Sequence, residues 1–166
     1  MGQSYLIKHF RSEAQLVEFA AEFARLLHAG RCHPLVIGLC GDLGCGKTTW
    51  ARAMLRGLGY AGRVPSPTYT LLEQYGLDGL TIVHLDLYRL SGDQELENLG
   101  LRDWLAEPES WVLVEWPERA PLLAARCDLK IEFADQGGMV RRVAFQATTA
   151  AGIRALALGR QSEFNN

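Results

Sequence analysis

Short apolar runs and longer amphipathic stretches alternate along this chain, divided by segments rich in glycine and proline. SYLIKHF (4–10) reads as a first strand. Ser12 followed by Gln15 is a capping-box pattern that opens a helix. Leu16, Phe19, Ala20, Phe23, Leu26 and Leu27 then recur at helical spacing and are predicted to face the core. PLVIGLC (34–40) is a continuous apolar run, the pattern of a strand covered on both faces. KTTWARAMLRGLG predicts a second helix ending at Gly57 or Gly59. RVPSPTYT (63–70), with Pro65 and Pro67, predicts an extended, stiff loop. YTLLEQY and LTIVHLDLY read as two strands joined through GLDG as a hairpin. SGDQELENLG opens a short acidic helix, and WVLVEW (111–116) is a further buried strand. DLKIEF and MVRRVAFQA flank ADQGG as a second hairpin, and AGIRALALGR predicts a last helix. The pattern predicts an α/β fold, with a mixed, mostly parallel sheet flanked by helices and extended by hairpins.

Composition narrows the setting. The 166 residues suit one domain, 1–166, and 48 % hydrophobic with 22 % charged residues is ordinary for a globular protein. A net charge of −2 gives no overall pull toward nucleic acid or an anionic membrane. No apolar stretch approaches the roughly 20 residues that span a bilayer. The start MGQSYLIKHF lacks the basic opening and long apolar stretch of a secretory signal. Cys32, Cys40, Cys45 and Cys127 form no C-x-x-C pair, so reduced thiols and a cytoplasmic location are expected rather than zinc or disulfides.

The chemistry concentrates in GDLGCGKTT, formed by Gly41, Asp42, Leu43, Gly44, Cys45, Gly46, Lys47, Thr48 and Thr49. The spacing G-x-x-x-x-G-K-T also arises by accident in a glycine-rich turn. Context argues for a phosphate cradle, because a buried strand precedes the motif and a helix follows it. There the glycines let backbone N–H groups point inward, and the helix N-terminus adds a positive dipole end. Lys47 would reach the β- and γ-phosphates, and Thr48 would ligate Mg²⁺.

Two acids close apolar strands downstream: Asp86 in TIVHLD and Glu115 in WVLVE. Ligands of open α/β sheets lie beyond the carboxyl ends of the strands, so both acids are expected to face the Mg²⁺–phosphate site. One would hold Mg²⁺, directly or through water, and the other would orient or deprotonate the attacking water. Thr68, between the cradle and Asp86, occupies the chain position of a switch loop whose hydroxyl senses Mg²⁺ and the γ-phosphate. No N-K-x-D segment is present, which favours ATP over GTP. Trp116 is placed to lie against nucleotide or a partner. Trp50, Trp104 and Trp111 read as packing residues, and His84 as structural.

In this order, GDLGCGKTT, SPTYTLLEQY, HLDLYRL, ELENLGLRDW and LVEWPE resemble the TsaE family of bacterial P-loop ATPases, well over roughly 35–120 and loosely in the flanks. The resemblance implies a P-loop NTPase fold and a small Mg²⁺-dependent ATPase of the pathway to N6-threonylcarbamoyladenosine, beside the tRNA anticodon. In that family a synthase makes threonylcarbamoyl-adenylate, a TsaD–TsaB complex transfers the group to tRNA, and TsaE binds that complex and hydrolyses ATP to reset it. Contact with tRNA would be indirect or weak. By the same resemblance Lys47 and Thr48 match the phosphate and Mg²⁺ residues, Asp86 and Glu115 the acidic residues, Thr68 the switch threonine, and Trp116 a tryptophan near the nucleotide. The family usually has alanine where Cys45 stands, at a position that contributes backbone. It often carries a threonine close to adenine near the position of Gln15.

Two other classes compete with an ATPase subunit. A small-molecule P-loop kinase needs an acceptor pocket and an arginine-bearing lid, for which PERAPLLAARC, with Arg119 and Arg126, offers little length. The two acids at strand ends argue against a nucleotide-gated binding module that does not hydrolyse, and single-turnover kinetics with ATP separates such a module from a very slow enzyme.

Overall fold

A computed structural model of the protein describes residues 4–138 and 140–162. Met139, expected to open the last hairpin strand, lies outside the described residues, as do the first three residues of the N-terminal segment. The sheet is built from β1 (Tyr5–Phe10), β2 (Leu35–Cys40), β3 (Leu72–Leu77), β4 (Leu80–Asp86), β5 (Ser110–Glu115), β6 (Leu129–Asp135) and β7 (Arg141–Ala147). Their order in space is β1-β7-β6-β2-β5-β4-β3. The central pairs β6–β2, β2–β5 and β5–β4 are parallel, and the margins β4–β3, β6–β7 and β7–β1 are antiparallel. Both expected hairpins therefore form the margins of the sheet. The β3–β4 connection is the tight Asp78–Gly79 turn, with Gly79 at φ +74°.

Strand β5 states the layering in its own sequence. Trp111 and Leu113 enter one core, and Val112 and Val114 enter the other, all of them buried. The first core is filled by α1 (Glu13–Ala29), α2 (Lys47–Gly57) and α6 (Ala150–Arg160), with Phe19, Phe23, Trp50 and Phe145 in mutual ring contact. The second is closed by α3 (Asp93–Asn98), α4 (Leu101–Ala106) and α5 (Pro121–Ala124). The helices α4 and α5, of six and four residues, are too short for a periodicity to announce them.

Helix α1 starts where its capping signal places it: the Ser12 hydroxyl accepts from Gln15 N, and Gln15 Oε1 accepts from Arg11 N at 2.7 Å. Its buried stripe takes in Ala24, whereas Leu26 is half-buried. At 100° per residue the stripe is centred between Leu16 and Leu27, with Ala24 about 70° from that centre and Leu26 about 90°, at its flank. The proline loop is irregular only through Ser66. It then curls into a turn in which Leu71 N donates to Pro67 O at 2.8 Å, because a proline carbonyl still accepts although its nitrogen cannot donate.

Helix α2 is held against α1 by a close backbone approach. A Cβ on Gly57 would lie 2.4 Å from Ala21 O and 2.6 Å from Ala21 Cα. Alanine is favoured over glycine in a helix by about 1 kcal/mol, but here the obstruction is main chain and cannot rotate away. Gly57→Ala is therefore expected to destabilise the fold by a net ~1–3 kcal/mol, the usual range for overpacking. The measurement is a urea titration, and an unchanged or raised midpoint would contradict the packing described.

Candidate functional site

The carboxyl ends of β2, β4 and β5 converge on a cleft of about 500 Å³. Between β2 and α2 the chain needs three left-handed glycines: Gly41 at φ +138°, Gly44 at +76° and Gly46 at +115°. At Gly41 a side chain is excluded outright, since a Cβ would stand 2.6 Å from Phe133 O on β6 and 2.8 Å from Cys45 Sγ. The loop thus wraps closely over β6 and delivers Lys47 and Thr48 at the start of α2, where free N–H groups face the cleft.

Lys47 is buried, at 4 % exposure. Its Nζ donates to Gly41 O at 2.6 Å and to Asp42 O at 2.7 Å, and lies 4.2 Å from the centre of the Trp116 ring. Among the described residues no carboxylate forms an ion pair with it. A buried cation with neutral partners alone retains a strong preference for an anion.

Opposite it lie two buried acids. The strand pairing sets Asp86 directly beside Glu115, and Ile82, His84 and Asp86 share the sheet face of Leu113 and Glu115. The Thr48 hydroxyl lies 2.8 and 3.0 Å from the two Glu115 oxygens. A hydroxyl has one proton, and here it is spent on the carboxylate, so the Thr48 lone pairs are left for a cation. Asp86 accepts from Thr68 Oγ1 at 3.0 Å and from Tyr88 N at 3.0 Å, and Ser66 Oγ lies 2.7 Å from Thr68 Oγ1. Thr68 is thereby tied to Asp86 and Thr48 to Glu115. This set of hydroxyl and carboxylate oxygens suits Mg²⁺, which takes one or two protein ligands and completes its shell with phosphates and water.

Trp116 leaves the β5 strand in the left-handed conformation, φ +59°, rather than continuing it. The turn swings its indole between Lys47 and Tyr88, whose ring centre is 5.0 Å away. Arg119 stands over Tyr88 at 5.6 Å, and Arg89 over the exposed ring of Tyr69 at 4.6 Å. Burial pushes the thiols of Cys40 and Cys127 up to about 11 and about 12, the first aided by Glu118 and Glu132 against Lys130 and Lys47. Cys45, 5 % exposed, sits with its sulfur 3.5 Å from Lys47 Nζ.

A family model described as "Threonylcarbamoyl adenosine biosynthesis protein TsaE" matches residues 10–143. The chain belongs to the TsaE family. Among curated members, the tRNA threonylcarbamoyladenosine biosynthesis protein TsaE of Haemophilus influenzae is 38 % identical over 84 % of this chain and 89 % of its own length. That of Aquifex aeolicus is 36 % identical over 75 % and 85 %. The crystal structure of Bacillus subtilis YdiB superposes with a TM-score of 0.70 at 24 % identity, over 96 % of this chain and 97 % of that one, and establishes the P-loop NTPase fold. Membership places the chain in tRNA threonylcarbamoyladenosine biosynthesis.

In this TsaE-family chain the whole stretch from Leu43 through Thr49 lines the cleft, together with Thr68, Asp86, Glu115 and Trp116. Leu43 does so with a side chain 74 % exposed. Gly41 and Asp42 stand behind that stretch and turn their carbonyls to Lys47. Gln15 is turned to Arg11, and it is Glu13 and Leu16 of α1 that reach the cleft. Gly138 and Arg141 reach it from the β6–β7 hairpin. Sequence reasoning missed the approach of Glu13 and Arg141 to the cleft and the contact of His84 with Glu115. For Arg141 the only signal is a cation shortly after a glycine turn. For His84 it is the two-residue alternation that puts it on the face of Asp86.

Proposed function

We propose that this chain is a Mg²⁺-dependent ATPase of the cytoplasm that serves a TsaD–TsaB-type complex in tRNA N6-threonylcarbamoyladenosine formation, with tRNA contacted only indirectly or weakly. The observation that carries the reading is the opposition of a buried, carboxylate-free Lys47 to two buried acids across a P-loop. Lys47 exchanges the carbonyls of Gly41 and Asp42 for the β- and γ-phosphate oxygens, and the backbone N–H groups at the start of α2 complete the cradle. Bound Mg²⁺ neutralises charge on the phosphates. Thr48 and Glu115, already in contact, are the residues that would hold it. Asp86, bound to the switch threonine Thr68, is left to orient the attacking water and take up its proton.

Arg89, which stands over the exposed ring of Tyr69, and Arg141 both line the cleft, whereas Arg119 does not, so those two are the arginines placed to approach developing phosphate charge. The test is phosphate release from ATP with Mg²⁺ and no added acceptor, measured on the protein alone and with a TsaD–TsaB complex. Slow release alone that rises on adding the complex is expected. Tight ATP binding with no release under either condition would favour a nucleotide-gated module, and release that needs a small-molecule acceptor would favour a kinase.

A further inference from the structure

We infer that His84 is a positioning residue that fixes the Glu115 carboxylate for its work on the Mg²⁺ side of the site. The inference rests on the role proposed above for Glu115. His84 lies in the middle of β4 at 0 % exposure, and its Nε2 is 2.8 Å from Glu115 Oε1. Glu115 is itself only 2 % exposed. The β4–β5 register sets His84 beside Leu113, one alternation before Glu115, so the ring reaches along the sheet face to the carboxylate.

Packing alone gives no reason for an imidazole here. The flanking positions on the same face, Ile82 and Leu113, are aliphatic and fully buried. The ring also leaves Nδ1 buried with no hydrogen-bond partner among the described residues. That pattern fixes the placement of the proton. With the proton on Nε2 the ring donates to a carboxylate, and Nδ1 is an acceptor left alone. With the proton on Nδ1 a donor would be orphaned and two acceptors would face each other at 2.8 Å.

The consequence for Glu115 is geometric. Without the ring, its carboxylate would be held by the Thr48 hydroxyl, which spans both oxygens and sets no preferred rotation. The His84 donor pins Oε1 and leaves Oε2 with the Thr48 hydroxyl alone among these contacts. Donors behind a metal-side ligand commonly act in this way, and their loss costs about 10–100-fold in metal affinity or activity.

The test uses the full-length protein with His84→Leu, which keeps bulk and removes the donor, and His84→Gln, which restores an N–H at a similar reach. In His84→Leu the Mg²⁺ concentration for half-maximal ATP hydrolysis is expected to rise by about 10–100-fold, and in His84→Gln to return toward wild type. Calorimetric ATP affinity without Mg²⁺ is expected to be unchanged in both. An unchanged Mg²⁺ requirement in His84→Leu, a Gln variant as impaired as the Leu variant, or an equal loss of Mg²⁺-free binding would each overturn the inference. Nitrogen-15 NMR of the nucleotide-free protein tests the contact even if His84→Leu does not fold. The His84 ring is expected to carry its proton on Nε2 and to shift on Glu115→Gln, and a ring protonated on Nδ1 alone or indifferent to that substitution overturns the assignment. A wild-type protein that hydrolyses no ATP would instead refute the proposed function, and with it the role given to His84, even where NMR shows the contact.

Discussion

Lys47→Ala is expected to raise the dissociation constant for ATP by about 10²-fold or more. A charge-assisted hydrogen bond is worth roughly 1.5–3 kcal/mol, and a lysine reaching two phosphates makes one or two of them. The fold should survive, because Lys47 forms no ion pair among the described residues and its removal strands no buried charge. The acceptors it leaves, Gly41 O and Asp42 O, are main-chain carbonyls at the start of the loop that lines the cleft. Titration calorimetry beside a thermal melt separates the two effects. An affinity within a few-fold of wild type would remove Lys47 from the phosphate site.

Asp86→Asn is expected to slow ATP hydrolysis by about 10²–10⁴, the usual cost of losing a general base, with nucleotide affinity retained. Asparagine keeps an oxygen for Tyr88 N, so the turn after β4 is preserved while the proton acceptor is lost. Glu115→Gln is expected to act differently, by raising the Mg²⁺ requirement, because that carboxylate touches Thr48. Single-turnover hydrolysis across a Mg²⁺ titration distinguishes them. If Glu115→Gln slows hydrolysis at saturating Mg²⁺ while Asp86→Asn does not, the two assignments must be exchanged.

The residues that sequence makes legible are those whose chemistry is local. Lys47 and Thr48 follow from a glycine pattern between a buried strand and a helix. Asp86 and Glu115 follow from closing apolar runs, since a strand's carboxyl end is where a buried chain meets its ligand. Thr68 follows from its place between the cradle and Asp86. What pairs these residues is not local. That Thr48 meets Glu115 and Thr68 meets Asp86, rather than the reverse, depends on β5 lying between β2 and β4, and strand order leaves no mark on a strand's own residues. His84 reads as structural because it sits among aliphatic residues. Only the β4–β5 register reveals the acid at the end of its reach. Arg141 and Glu13 come from elements distant in sequence whose approach to the cleft is decided by the sheet margin.

The same margin bears on how the protein is made. Strand β1, at the start of the chain, finds its partner in β7, near the end, with Tyr5 opposite Gln146. Strand β6 presses Phe133 onto the Gly41 turn. A nascent chain emerging from the ribosome therefore carries the complete G-x-x-x-x-G-K-T segment long before it has the wall that gives that segment its shape. Such pairings between distant segments close late, because the entropy of a long loop must be overcome first. A ribosome stalled before β6 and β7 thus holds segment 41–49 without Phe133, against which its first turn packs, and without Gly138 and Arg141, which close one side of the cleft.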